Sequence, residues 1–170
     1  MNLVLTGFMG TGKSAVGRRV AERLKAPFVD LDAVIEKKAG VSVGKIFSEQ
    51  GETVFRQLES QAVEEVASLD RTVIATGGGA LLDAKNQERL MANGILICLS
   101  AKVGTLLDRL KDDVTRPLLA GENLEERLAR LMKERQSIYA ACPIQIATDG
   151  KTIPVVAAEI LQHIAARWPA

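Results

Sequence analysis

Aromatic residues and cysteines are scarce in this chain of 170 residues. Four phenylalanines, one tyrosine and one tryptophan provide little of the aromatic surface that protein interfaces use, so we expect a monomer. The two cysteines, Cys98 and Cys142, each lie in an apolar segment that we interpret as a strand. Such cysteines are ordinarily small core residues, which argues against a disulfide framework or a cysteine metal site.

An excess of charge of either sign is also missing. Lysine and arginine total 22 against 21 for aspartate and glutamate, which leaves a formal net charge of +1. This balance gives no support to a nucleic acid or a membrane as partner, so an anionic ligand must be held by local groups. No apolar run approaches the roughly 20 residues of a membrane span, and the first strand leaves no room for a signal peptide. We therefore expect a cytoplasmic protein with one domain over residues 1–170.

The segment from Gly7 to Ser14 reads GFMGTGKS and fits the P-loop pattern G-x-x-x-x-G-K-[ST]. An apolar segment at 2–6 precedes it as a strand, and apolar residues at helical spacing follow it. Glycines let successive backbone N–H groups surround phosphate oxygens at a helix N-terminus. Lys13 would then reach the β- and γ-phosphates, and the Ser14 hydroxyl would ligate Mg²⁺.

The remaining pattern predicts an α/β fold with three layers. Continuous apolar strands alternate with helices, which is typical of a parallel sheet covered on both faces. The predicted strands are 2–6, 28–32, 72–75, 95–99 and 144–147. Helices are predicted at 33–38, at 43–50 with Ser42 as its N-cap, and at 52–69 after a stop at Gly51. Asp30 and Asp32 alternate with apolar neighbours, so we expect both carboxylates on one side of an extended segment.

Ligands of such sheets bind beyond the carboxyl ends of the strands. The P-loop, the Asp30/Asp32 pair and the glycines at 77–79 each follow a predicted strand. We therefore expect these three groups to gather at one edge of the sheet.

Three arginines lie where their charge needs an explanation. Arg135 falls on the apolar stripe of its helix, so it either reaches out to solvent or meets an anion at the sheet edge. Arg56 has Glu52 at i−4 and Glu59 at i+3, and this spacing favours an ion pair on the helix surface. Arg116 lies in a glycine-containing segment, either as an exposed loop residue or as a lid residue that clamps phosphate.

Five further motifs follow the P-loop in order. They are Phe28-Val29-Asp30-Leu31-Asp32, Phe55-Arg56-Gln57-Leu58-Glu59, Thr76-Gly77-Gly78-Gly79, Arg116-Pro117-Leu118-Leu119 and Arg135-Gln136-Ser137-Ile138-Tyr139. Together they span nearly the whole chain, and the set resembles the shikimate kinase family. The P-loop alone is generic, whereas the Asp-x-Asp, Phe-Arg-x-x-Glu and triple-glycine motifs are far more specific.

The resemblance implies phosphorylation of the shikimate 3-hydroxyl by ATP, in the pathway to chorismate and the aromatic amino acids. It also implies a P-loop kinase fold like that of nucleoside monophosphate kinases, with a five-stranded parallel sheet in the order 2-3-1-4-5. Residues 33–60 would form the substrate-binding region and residues 111–123 the lid. The partners would be shikimate and ATP, and the cofactor Mg²⁺. Shikimate is a carboxylate with several hydroxyl groups. Arginine suits such a ligand because it binds carboxylates bidentately.

The resemblance further implies the role of each site residue. The catalytic residues would be Lys13, Asp32 and Arg116. The ATP-binding residues would be Gly10, Thr11, Gly12, Lys13, Ser14, Ala15 and Arg116. The loop that contacts the adenine, near 149–152, varies within the family, and in this chain it offers Lys151 and Thr152. The substrate-binding residues would be Asp32, Arg56, Gly77, Gly78, Gly79 and Arg135. Because no predicted strand ends in a Walker B acid, the metal residues would be Ser14 and, through water, Asp30.

Other functions fit parts of the pattern. A gluconate or nucleoside monophosphate kinase would share the fold, but the paired arginines, Asp32 and the triple glycine argue against it. A GTPase switch would carry Asn-Lys-x-Asp and Asp-x-x-Gly elements, which the chain lacks. A non-catalytic nucleotide-binding domain would have no need to retain the full set of polar site residues, which are Lys13, Ser14, Asp32, Arg56, Arg116 and Arg135.

Overall fold

The structure, a computed structural model, describes residues 1–111 and 123–168. The strands are β1 Asn2–Gly7, β2 Phe28–Asp30, β3 Val73–Ala75, β4 Gly94–Ser100 and β5 Ile144–Ala147. The helices are α1 Lys13–Leu24, α2 Leu31–Ala39, α3 Val43–Ala67, α4 Ala84–Ala92, α5 Val103–Leu110, α6 Leu124–Ala140 and α7 Ile153–Ile164. A short 3₁₀ helix, Ala80–Leu82, follows the triple glycine.

The sheet has the order β2-β3-β1-β4-β5, and every strand pair is parallel. This confirms the predicted order 2-3-1-4-5. The central strand β1 is buried along its whole length, which explains the apolar run Leu3-Val4-Leu5 at its centre.

Two hydrophobic clusters cover the two faces of the sheet. Val4 of β1 points to one face, where its cluster includes Ile35 of α2 and Ile46 of α3. Leu3 and Leu5 point to the other, where the cluster includes buried residues of α1 and α7. The alternation along β1 therefore produces the predicted α/β/α layers. No helix within 1–111 or 123–168 is long and apolar enough to span a membrane.

A third cluster lies beside the P-loop. Phe8 and Met9 of the loop pack with Leu106 and Leu110 of α5 and Leu128 of α6. Apolar packing against α5 and α6 thus supports the loop, and β1 and α1 anchor its two ends.

The boundary between β2 and α2 differs from the prediction. β2 ends at Asp30, which caps α2 by accepting a hydrogen bond on Oδ1 from the Asp32 backbone N–H at 3.1 Å. The expectation that Asp30 and Asp32 lie on one side of an extended segment is therefore wrong. An aspartate at the N-cap and another in the first turn both favour helix over strand, because they meet unpaired N–H groups and the helix dipole.

The predicted helices at 43–50 and 52–69 join into α3, with a non-helical break at Gly51 (φ 84°, ψ 171°) where the stop was predicted. Ser42 caps α3 as expected, accepting a hydrogen bond from the Lys45 N–H at 3.2 Å. The strand assignment of Cys142 is wrong, since this residue follows α6 and precedes β5, although it is buried as predicted.

Replacing Gly7 with alanine should destabilise the fold by roughly 3 kcal/mol or more. Gly7 has φ 129°, and a Cβ atom there would collide with the carbonyl group of Leu99 in the neighbouring strand. Denaturant unfolding measures the loss. The matched control is Gly104→Ala in α5, where a Cβ meets nothing within 4 Å and should add about 0.5–1 kcal/mol of stability. An unfolding free energy for Gly7→Ala equal to that of the parent would contradict the close packing of β1 on β4.

Candidate active site

The P-loop connects β1 to α1 and curls around its own lysine. Gly10 and Gly12 have φ of 79° and 91°, a conformation that turns backbone N–H groups inward. Lys13 is only 9% exposed, and its Nζ donates to the carbonyl oxygens of Gly7 and Phe8 at 2.9 Å each. Thr11 Oγ1 donates to the Phe8 carbonyl at 2.8 Å. The glycine conformations and the buried lysine together shape the loop for phosphate.

Ser14 and Asp30 form a pair of oxygen ligands next to this loop. Ser14 Oγ donates to Asp30 Oδ2 at 2.6 Å, joining the start of α1 to the end of β2. Hydroxyl and carboxylate oxygens are the hard ligands that Mg²⁺ prefers, and Mg²⁺ usually takes few protein ligands alongside phosphates and water. The two predicted metal residues are thus brought together, and their chemistry fits the ion.

The three glycines after β3 lie where the other predicted site residues converge. A Cβ atom on Gly77 would lie 2.9 Å from Glu59 Oε1 and 3.0 Å from Asp32 Oδ1. One on Gly79 would lie 2.6 Å from Nη2 of Arg56. Any side chain here would push away a carboxylate or a guanidinium. The glycines let α2 and α3 bring their charged groups against the sheet edge.

Gly78 lies between the P-loop and α6. A Cβ atom there would be 3.3 Å from the backbone nitrogen of Met9 and 3.7 Å from Nη1 of Arg135. The central glycine therefore joins the nucleotide side of the site to the helix that carries Arg135.

Arg135 is buried on α6 with only 5% of its surface exposed. Its Nη1 lies 3.4 Å from the Gly78 carbonyl oxygen, and its guanidinium carbon lies 5.8 Å from the Phe8 ring centre. The alternative in which Arg135 reaches out to solvent is therefore wrong. That it meets an anionic ligand stays a prediction.

Arg56 forms the ion pairs that its spacing predicted. Its guanidinium lies 2.6 Å from Glu59 Oε2 and 3.0 Å from Glu52 Oε1. Burial tends to lower the pKa of Arg56, but Glu59 and Glu52 outweigh that effect and raise it. The guanidinium is thus held charged and in a fixed place, as a carboxylate-binding group must be.

Glu59 is a site residue that the sequence reasoning missed. The residue is 1% exposed, and burial raises the pKa of its carboxyl group even though Arg56 acts to lower it. The spacing from Arg56 predicted the pair but placed it on a solvated helix face. The only signal was the Phe-Arg-x-x-Glu motif itself, because burial here comes from packing against Gly77, a contact distant in sequence.

Arg109 was also missed. From α5 its Nη1 donates to the Gly10 carbonyl and to Thr148 Oγ1 at 3.1 Å each, and Nη2 donates to the Thr148 carbonyl at 3.1 Å. It thus ties the P-loop to the turn after β5, where the adenine was expected. Its two partners are 99 and 39 residues away in sequence, so local pattern could not reveal it.

Lys151 forms an ion pair with Glu159 at 2.6 Å, and Thr152 occupies the N-cap position of α7. Ala15 lies in the first turn of α1. Arg116 and most of the predicted lid, 111–123, lie outside the described residues.

The chain is similar in sequence to known proteins of one family. A family model described as shikimate kinase matches residues 9–165. The shikimate kinase of Geobacter sulfurreducens is 45% identical over 163 residues, which cover 96% of this chain and 90% of that relative. The shikimate kinase of Gloeobacter violaceus is 46% identical over 168 residues, covering 98% and 94%.

Solved structures agree with these relatives. The shikimate kinase from Acinetobacter baumannii in complex with shikimate has a TM-score of 0.94 at 40% identity, covering 97% of this chain and 93% of that one. A gluconokinase from Sinorhizobium meliloti, with a TM-score of 0.65 at 16% identity over 98% and 93% of the two chains, shares the fold alone. The resemblance drawn from the motifs is confirmed, and the chain belongs to the shikimate kinase family.

Proposed function

We propose that this chain transfers the γ-phosphoryl group of ATP to the 3-hydroxyl of shikimate, giving shikimate 3-phosphate and ADP on the way to chorismate and the aromatic amino acids. One observation carries the proposal: the buried guanidinium of Arg135 beside Gly78, across the triple glycine from Arg56 and Asp32. Burying a charge is costly unless an anion offsets it, and a substrate carboxylate is such an anion. The complex of the A. baumannii relative with shikimate supports the same substrate.

The acceptor wall of the site is built for a polyhydroxylated carboxylate. Arg135 and Arg56 offer guanidinium donors for the carboxylate. Asp32 and the backbone of Gly77, Gly78 and Gly79 offer acceptors and donors for the hydroxyl groups. Both kinds of group meet around the same short glycine segment, so one small molecule can contact them all.

The nucleotide wall performs the transfer chiefly by positioning and by charge. We propose that Gly10, Thr11, Gly12 and Ala15 bind the phosphates through backbone N–H groups and that Lys13 moves from its loop carbonyls onto the transferring phosphate. Ser14 and Asp30 would hold Mg²⁺, Asp30 through water. When bound, the ion neutralises charge on the phosphates. Arg116 would clamp them from the lid, and Lys151 and Thr152 would border the adenine.

In the chemical step the 3-hydroxyl oxygen forms a bond to the γ-phosphorus while the bond from that phosphorus to ADP breaks. Asp32 accepts a hydrogen bond from this hydroxyl and so fixes the attacking oxygen. A loose transition state needs little help from a base, so orientation is the larger part of its role, and the hydroxyl proton passes to the Asp32 carboxylate late, as the new bond to phosphorus is completed.

ADP release with shikimate, gluconate and nucleoside monophosphates, assayed side by side, tests the substrate. We expect release with shikimate only. If only gluconate or only a monophosphate supports ADP release, shikimate is not the substrate, since a kinase of either kind shares the fold. If none of the acceptors raises ADP release above the background of ATP hydrolysis, the result would favour a non-catalytic nucleotide-binding domain. The monomeric state, the cytoplasmic location and the single domain over 1–170 stay predictions.

A further inference from the structure

We infer that the hydroxyl of Tyr139 is a positioning group for substrate binding: it holds the Gly78 carbonyl and the guanidinium of Arg135 in place for the acceptor's carboxylate. This inference rests on the proposed function. It concerns a residue that the sequence marks only as the end of the motif Arg135-Gln136-Ser137-Ile138-Tyr139.

Tyr139 and Arg135 lie one turn apart on α6 and reach the same backbone oxygen. The Tyr139 hydroxyl donates to the Gly78 carbonyl, and Arg135 Nη1 lies 3.4 Å from that oxygen. A carbonyl oxygen has two lone pairs, so both donors can be accommodated. The Arg135 contact is near the outer limit of a hydrogen bond, which makes the phenol the main tie between α6 and the glycine segment.

The phenol can act as this donor at any ordinary pH. Burial raises the pKa of Tyr139 to about 12, although the charge of Arg135 and its hydrogen bond to the phenol oxygen act to lower it. Arg135 thus contacts both the hydroxyl and its acceptor. The two side chains and the Gly78 carbonyl form one connected polar group.

Packing alone does not fix the tyrosine ring. The ring contacts two of the hydrophobic clusters at their margins, and it also lines a cavity of about 460 Å³ together with Phe8, Met132 and Gln136. Without the hydroxyl, the ring has space to move away from Gly78. Arg135 would then lose its contact with the phenol oxygen and would be the remaining donor to that carbonyl. Neither the guanidinium nor the Gly78 segment would be held in place for the substrate.

Replacing Tyr139 with phenylalanine keeps the ring and removes this tie. We expect the KM for shikimate to rise about tenfold, which is the effect of losing one hydrogen bond to a buried carbonyl group. The KM for ATP should stay within about twofold and kcat within about threefold. A purely structural role would instead change both KM values together with the melting temperature. Ser137→Ala, which removes an exposed hydroxyl from the same helix, is the matched control and should change none of these.

A double-mutant cycle tests the route through Arg135. In an Arg135→Lys background, adding Tyr139→Phe should raise the KM for shikimate by much less than tenfold, because the group that it positions is already lost. Equal and independent effects in the two backgrounds would overturn the inference.

Tyr139 is the only tyrosine in the 170 residues, so 3-fluorotyrosine incorporation labels this position alone. The single ¹⁹F resonance should shift when shikimate is added and stay in place when ATP is added alone. This measurement also serves if Tyr139→Phe fails to fold. A resonance unmoved by saturating shikimate, or a folded Tyr139→Phe enzyme with unchanged shikimate KM, would overturn the inference. Failure of the proposed function is distinct, since the parent enzyme would then release no ADP with shikimate.

Discussion

Replacing Lys13 with methionine should lower kcat for shikimate phosphorylation by about a thousandfold or more. The ammonium is 9% exposed and bound to the two loop carbonyls of Gly7 and Phe8. In this dry setting its charge acts on the transferring phosphate with little screening by water. Methionine has a similar length and flexibility but offers no charge and no donor. Steady-state kinetics with saturating ATP and shikimate measure the effect.

The control for this substitution is Lys85→Met on α4, an exposed lysine outside the substrate-binding region and the lid, which should leave kcat unchanged. Thermal unfolding of both variants separates catalysis from folding, since Lys13 also supports the loop through its hydrogen bonds. A Lys13→Met enzyme that is folded and retains near-normal turnover would remove the P-loop from the mechanism.

Replacing Arg135 with alanine should raise the KM for shikimate at least about a hundredfold while leaving the affinity for ATP within about twofold. The guanidinium is buried at the sheet edge, so its bond to a carboxylate would form away from water, where charged hydrogen bonds are strongest. The measurement is isothermal titration with shikimate and with an ATP analogue, supported by kinetics. Arg130→Ala, an exposed arginine on the same helix, should change neither affinity.

Arg56→Ala should also weaken shikimate binding, but its effect on stability differs. Removing Arg56 leaves Glu59 buried without its ion-pair partner, which destabilises the protein as well as the site. Binding must therefore be measured well below the melting temperature of this variant. Unchanged shikimate affinity in both folded arginine variants would contradict the assignment of the carboxylate to this pair.

Much of the scaffold could be predicted from local sequence. The P-loop, the strand before it and the helix after it are each specified by adjacent residues, and so are the Ser42 cap and the break at Gly51. The sheet order required the family resemblance, because strand alternation leaves several orders open.

The site was harder to predict, because its polar contacts join distant segments. Asp32 could not be placed on α2 until the cap formed by Asp30 was seen, since alternation alone suited a strand equally well. Glu59 looked solvated because a helix pattern cannot show that Gly77 leaves room for its carboxylate. The contact of Tyr139 was hidden for the same reason: its hydroxyl donates to the carbonyl of Gly78, 61 residues away. For Glu59 and Tyr139 the helix was predicted correctly, and what the local pattern could not show is the contact that replaces solvent at one polar atom.

The most direct test of the proposed function is the structure of the product. Purified enzyme is incubated with ATP, Mg²⁺ and shikimate, and the product is examined by mass spectrometry and by phosphorus–proton NMR correlation. We expect one equivalent of phosphate added per shikimate, with the phosphorus coupled to the proton on C3. Phosphate on another hydroxyl, or unmodified shikimate beside consumed ATP, would contradict it.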